Sequence, residues 1–288
     1  MALPLTDPTR STLLRLSGHD ALDVLHRIST QSLLDLEPAH ARATLFCDFR
    51  GRLLHRAIVA RAGDAVWLLR DDAPADALRA YVDRHVFRED VRIDDRPGAL
   101  EAVVCVMSAE LAPGEVHERD GVPLQVQLED GFALAIADAA AGLEPAGELD
   151  RIQAGRPRHG HEIADTFNPF EVGLARDVHL SKGCYTGQEV LLRLMSYQSV
   201  RRQLVRLRGA GAAPAVPATI ATPDTTSAAS DAATHGMLTS AAPDPDGGWV
   251  GLAVMTRAPI ESGHPLSVGG ATARIEHVFA SERPPGLP

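Results

Sequence analysis

The chain has 288 residues, 45% of them hydrophobic and 23% charged, a composition of ordinary globular proteins that leaves room for two or three compact units and excludes a disordered chain. Its formal net charge of −10 opposes generic attraction to phosphate backbones, so broad nucleic-acid binding is not expected and an RNA contact would need a local basic patch. Cys47, Cys105 and Cys184 are odd in number and far apart, without Cys-x-x-Cys or Cys/His ligand spacing; a disulfide framework is excluded and an iron–sulfur cluster held by this chain alone is disfavoured.

The opening MALPLTDPTR lacks a basic segment followed by an apolar one, and no run of ~18 apolar residues follows, so the expectation is a cytoplasmic, monomeric protein without a membrane span. From Ser17, a candidate cap, Leu22, Leu25 and Ile28 recur at helical spacing and predict an amphipathic helix. TLFCDF, LLHRAIVARA and AVWLLR, separated by Gly51 and Gly63-Asp64, read as a strand meander. DDAPADALRAYVDRHV follows as a helix, with Asp71 or Asp72 near its cap and Leu78, Tyr81, Val82 and Val86 on one face, and DVRIDD as another strand. That order suggests an α+β unit of ferredoxin-like type. EAVVCVMSA, VPLQVQL and FALAIAD are three further β-type runs, and Cys47 and Cys105 read as small buried core residues.

Gly209 to His235 contains no aromatic residue, Lys or Arg and is too poor in large apolar groups to fold alone, so it reads as a flexible surface insertion. It separates the strand RRQLVRLRG from GMLTS, and GWVGLAVM, HPLSV and ARIEHVF complete an all-β module over residues 198–288, read as a small barrel.

The chemistry concentrates in KGCYTGQE, Lys182 to Glu189. Thr186 and Glu189 have the spacing of a capping box, so a helix is predicted to start near Gly187, with Val190, Leu191, Leu194 and Met195 on one face. Cys184 then precedes the positive end of a helix, and Lys182 can project to the same side. Both effects favour a thiolate and make Cys184 a candidate nucleophile or acceptor; the alternative is a buried cysteine in a glycine-rich turn. His159 and His161 form a weak H-x-H pattern, and Arg193, Arg201, Arg202, Arg206 and Arg208 form the local positive cluster where a polyanion or RNA would be sought.

KGCYTGQE resembles the signature K-G-C-[FY]-x-G-Q-E of the YgfZ family, folate-binding relatives of the T-protein of the glycine cleavage system. The resemblance extends through RIQAGRPRHGHEI, NPFEVGL, SGHDALDVLHRIST, RRQLVRL and GLAVMTR, nearly the whole chain outside the insertion. It implies an α+β fold with three domains in a cloverleaf around a central opening. Residues 1–42 and 101–197 would form the first domain, 43–100 the ferredoxin-like second, and 198–288, with the insertion at 209–235, the β-barrel third. It further implies tetrahydrofolate as ligand, Cys184 and Lys182 as the chemical residues, and Glu171, Arg202, Tyr185 and Gln188 as folate-binding residues. Implied partners are iron–sulfur client enzymes, including radical enzymes that modify tRNA. T-proteins carry an acidic pair after the glycine of the second hairpin, where this chain has His55 and Arg56, and they lack the signature cysteine. Aminomethyl transfer is therefore the alternative reading, and a folate-binding regulator without thiol chemistry is the third.

Overall fold

The computed structural model describes residues 11–95, 102–106, 111–128, 131–136, 145–222, 234–262, 265–280 and 282–287. Its first unit runs β1 (Thr12–Ser17), α1 (Ala21–Ile28), β2 (Ala41–Cys47), β3 (Leu53–Ala62), β4 (Ala65–Arg70), α2 (Ala75–Asp83) and β5 (Arg92–Asp95). The strands form one antiparallel sheet in the order β2-β3-β4-β1-β5. With edge strand β2 set aside, β1-α1-β3-β4-α2-β5 follows the βαββαβ sequence of a ferredoxin-like unit. That sheet crosses the 42/43 division, because β1 pairs with both β4 and β5. The unit thus begins with a strand rather than with the expected helix. Ser17 ends β1, and Asp20 takes the N-cap position of α1.

One face of this sheet packs Leu14, Phe46, Val59 and Leu68 against Val24 and Leu25 of α1 and Leu78 and Val82 of α2. The other face presents Leu13, Ile58, Trp67 and Leu69 to a second antiparallel sheet. The second sheet, ordered β6-β9-β8-β7, contains β6 (Ala102–Val106), β7 (Val116–Arg119), β8 (Val122–Gln127) and β9 (Phe132–Ile136). Coverage on both faces explains why AVWLLR in β4 is buried at every position instead of alternating. Cys105 stands in β6, and the expectation that its side chain is buried lies outside the described residues.

The last unit is a closed antiparallel barrel: β10 (Arg202–Gly209), β11 (Ala218–Ala221), β12 (Thr234–Pro243), β13 (Trp249–Thr256), β14 (Leu266–Val268) and β15 (Ala271–Val278), ordered β10-β13-β12-β11-β14-β15. The expected insertion is corrected here. Ala218–Ala221 is a barrel strand paired with β12 and β14, and Ile220 is fully buried in the barrel core. Residues 223–233 of the insertion lie outside the described residues.

A central layer joins these units through α3 (Glu148–Ala154), two short 3-10 turns (Pro169–Val172 and Ala175–Asp177) and α4 (Gln188–Ser196). Its core combines Leu45, Cys47 and Leu53 from the first sheet with Phe167, Phe170 and Leu191, and with Leu204 and Leu252 from the barrel. The segment Arg151 to Ile163 supplies its polar fastening. Fully buried Arg151 donates to Glu162 at 3.2 Å and Ser240 at 2.6 Å, and Ser240 donates onward to Glu162 at 2.7 Å, tying α3 to β12. A buried charge is tolerated only when paired and hydrogen-bonded in this way.

Candidate functional site

The signature loop lies where α4 meets the β2–β3 hairpin. Gly187, at φ 84°, is the N-cap of α4, and a Cβ there would stand 2.6 Å from the Asp48 carbonyl oxygen, so only glycine fits the junction. The helix begins where expected, but the capping box does not form. No side chain caps the helix, and Glu189 instead pairs with Arg193 one turn on, at 2.6 Å.

Cys184 is a free, exposed thiol. The Lys182 ammonium donates to the His26 carbonyl oxygen at the end of α1 and lies 5.1 Å from the centre of the Tyr185 ring. Burial lowers the Lys182 pKa to about 8. The His26 ring in turn contacts the Lys182 carbonyl oxygen at 3.2 Å, so each residue holds the backbone of the other. Tyr185 is buried in the core that also holds Cys47, its hydroxyl has no hydrogen-bond partner among the described residues, and burial pushes its pKa up. Gln188 donates to the Leu180 carbonyl oxygen at 3.0 Å, closing the loop on itself. Cys47 is 2% exposed, and burial raises its thiol pKa far above the usual value.

Glu171 and Arg202, both expected to meet folate, meet each other. The Arg202 guanidinium grips the buried carboxylate in a fork, Nε to Oε1 at 2.8 Å and Nη2 to Oε2 at 2.9 Å, while Arg52 approaches Oε2 at 3.5 Å. The backbone amide of Asn168 also donates to Glu171. The cluster binds the β2–β3 hairpin, the turn at Pro169–Val172 and β10 at one point.

The central opening lies beside this cluster, as a cavity of about 270 Å³ between both sheets, the central layer and the barrel. Gly173 and Leu174 line it, whereas Glu171 does not. Its apolar wall includes Ile58, Leu128, Leu204 and Phe279. Among the described residues its two lining carboxylates are each held by an arginine: Asp177 by Arg56 at 2.7 Å and Glu282 by Arg176. Arg156, also in the lining, makes a two-pronged pair with Asp71 at 3.0 and 2.8 Å. Asp71 and Asp72, read as possible caps of α2, are thus used in tertiary contacts; Asp72 binds the His159 ring at 2.7 Å, and Pro74 takes the N-cap position without a side-chain cap. Gln127, 1% exposed, lines the cavity too, and its Oε1 has no hydrogen-bond partner among the described residues.

Strand alternation separates the two residues that replace the T-protein acids. Arg56 shares a face with Ile58 and enters the cavity, while His55 points to the helix-covered side, edge-on to Phe46 and Tyr81. The other H-x-H histidines also diverge: His159 accepts from the Arg56 amide at 3.1 Å, and His161 contacts the Thr239 carbonyl oxygen at 2.6 Å. Arg206 and Arg208, part of the sequence-read basic cluster, both pair with Glu276 at 2.7 Å.

What sequence reasoning missed is Gln127, Asp177 and Arg176. Nothing local in VPLQVQL or GLARDV distinguishes them, because long-range packing alone brings them to the cavity.

No family model matches the chain. A chloroplastic protein of Arabidopsis thaliana that carries the name of a transferase is 25% identical over 94% of this chain and 70% of its own length. An aminomethyltransferase of Saccharopolyspora erythraea is 29% identical over 72% of this chain and 67% of its own. A mitochondrial iron–sulfur cluster assembly factor IBA57 homolog of Phaeosphaeria nodorum is 27% identical over 72% of this chain and 56% of its own. The crystal structure of the glycine cleavage system aminomethyltransferase T from Bartonella henselae superposes with a TM-score of 0.73 at 17% identity, covering 96% of this chain and 86% of that one. The chain therefore has the aminomethyltransferase fold, and relatives bearing both kinds of name share it.

Proposed function

We propose that this chain binds a reduced folate in the central cavity and supports the synthesis or repair of iron–sulfur clusters in client enzymes, among them radical enzymes that modify tRNA. The observation that carries the choice against aminomethyl transfer is the state of the cavity acids. Asp177 and Glu282 are both occupied by guanidinium groups, and Arg56 stands where the sequence resemblance would place an acid. A carboxylate already neutralised by an arginine is poorly suited to holding a developing ammonium.

The fit to a folate rests on the cavity itself. An apolar wall suits a flat ring. The iron–sulfur role is supported by the likeness to the assembly-factor homolog and by Cys184, an exposed thiol on a loop fixed at Lys182 and Gln188. Lys182, Tyr185, Gln188, Glu171 and Arg202 act in this reading by shaping the loop and the cavity edge. The second reading, a one-carbon transferase, is favoured by the names of several relatives.

The deciding experiment combines a tetrahydrofolate titration with an assay for ammonia and methylenetetrahydrofolate on an aminomethylated lipoyl carrier. Binding without turnover is expected, and turnover at an aminomethyltransferase's rate overturns the proposal. In cells, Cys184→Ser is expected to lower the activity of iron–sulfur clients; unchanged client activity would leave a folate-binding regulator.

A further inference from the structure

We infer that His26 is the positioning residue of the Cys184 loop and that it holds the loop only while its ring is neutral, with the proton on Nε2. The two ring nitrogens are committed to opposite tasks. The backbone N–H of Leu33 donates to Nδ1 at 3.1 Å, so Nδ1 carries the lone pair. Nε2 stands 3.2 Å from the Lys182 carbonyl oxygen, a group that only accepts, so Nε2 carries the proton. The hydrogen-bond network thereby selects one tautomer. The Lys182 ammonium returns a hydrogen bond to the His26 carbonyl oxygen. Among the described residues, these two bonds with His26 are the hydrogen bonds that reach Lys182, Gly183 or Cys184 from outside the loop. The exposed thiol follows directly on a fastening that depends on one ring. The inference concerns the thiol of the reading above, but its test needs neither folate nor client, so either can fail alone.

A proton taken up at Nδ1 sets two N–H groups face to face and leaves the Leu33 amide without its acceptor. The ring is rigid, so it cannot turn away from Leu33 and keep the same line to the Lys182 carbonyl. The charged ring also meets the Lys182 ammonium, which is bonded to the backbone of the same histidine. The charged groups that face His26 are Lys182 from the loop, Asp23 on α1 and Asp35 in the turn beyond α1. Asp35 is already paired with Arg42 at 2.9 Å, and Asp23 is exposed. Burial first, and then Lys182, outweigh the two carboxylates and the bond to the Lys182 carbonyl, and the His26 pKa falls below the ordinary 6.5. The held ring therefore takes up a proton less readily than a released one. The hold is fully present above pH 6.5 and is lost progressively as pH falls from there toward the lowered value of the ring.

The test places a trifluoromethyl label without a titrating group on Cys184 of the whole chain, with the site checked by peptide mass spectrometry. Fluorine NMR then follows the label from pH 7 downward, where Lys182, with a pKa of about 8, stays largely charged. Wild type is compared with His26→Gln, which keeps an N–H donor at the reach of Nε2 and takes up no proton. In wild type the resonance is expected to shift and narrow in one step, as the loop loosens, with a midpoint that matches the titration of the His26 ring read by nitrogen-15 NMR. His26→Gln is expected to lack that step, because its side chain has nothing to titrate. At neutral pH the nitrogen-15 spectrum of wild type is expected to show a protonated Nε2 and a bare Nδ1. A label that does not respond to pH in wild type, an equal step in His26→Gln, or a ring protonated at Nδ1 overturns the inference. The tautomer and the matching midpoint are read on wild type, so the inference stays open to refutation even if His26→Gln does not fold.

Discussion

His55 makes the protein sensitive to acid, and the size of the effect follows from its surroundings. The ring lies 6.4 Å from Phe46 and 5.9 Å from Tyr81, edge-on to both, with Nδ1 facing the Arg70 guanidinium at 3.4 Å. Burial first, and then the charges of Arg70, His159 and Arg84, lower its pKa from the usual 6.5 to about 3. Between those values the unfolded chain binds a proton that the folded one refuses. The stability tied to neutral His55 is therefore fully present above pH 6.5 and is lost progressively as pH falls toward 3. Each pH unit below 6.5 removes about 1.4 kcal/mol, so roughly 2 kcal/mol is lost through this one ring between pH 7 and pH 5. His55→Phe keeps a ring between Phe46 and Tyr81 but has no proton to take up. Urea unfolding of wild type and His55→Phe at both pH values measures the difference, since every other group is common to the two proteins. Wild type is expected to lose about 2 kcal/mol more than the variant, and equal losses would refute the reasoning.

Arg202→Ala strands the buried Glu171 carboxylate and is expected to cost about 2–4 kcal/mol in urea unfolding, whereas Arg193→Ala, which breaks the exposed pair with Glu189, changes stability by less than about 0.5 kcal/mol. Gly187→Ala forces a Cβ to 2.6 Å from the Asp48 carbonyl oxygen at φ 84° and is expected to cost more than about 1 kcal/mol; Gly160→Ala, at a comparable φ of 75° with no atom within 4 Å, is the milder variant by thermal unfolding. Iodoacetamide is expected to modify Cys184 in the native protein and Cys47 only after denaturation, as read by peptide mass spectrometry.

The elements most legible in the sequence were those whose signal is local. The meander of β2 to β4, the start of α4 and most of the barrel strands carry their own period and their own glycines. β1 was missed because TLLRLS is a short apolar run, and only pairing with β4 and β5 makes it a strand. β11 was missed for the opposite reason. ATIA offers one large apolar side chain, and the closed barrel supplies the hydrogen bonds that its composition would not suggest. At the candidate site the important residues were visible as types but not as pairs. Lys182 beside Cys184 was reasonable from spacing, and Glu171 awaiting a ligand from the family resemblance. Tertiary contact gave the ammonium to His26 and the carboxylate to Arg202, pairings that no local pattern shows.

The reciprocal clasp between His26 and Lys182 joins residues 156 positions apart. During synthesis α1 is complete long before the signature loop emerges, and the anchor at Lys182 forms only when the loop returns to that helix end. Cys184 therefore takes up its position late, once the two halves of the chain have met. A mutation at the N-terminal helix that loosens the His26 carbonyl would release the thiol loop without touching it, placing two distant stretches of sequence under one shared constraint.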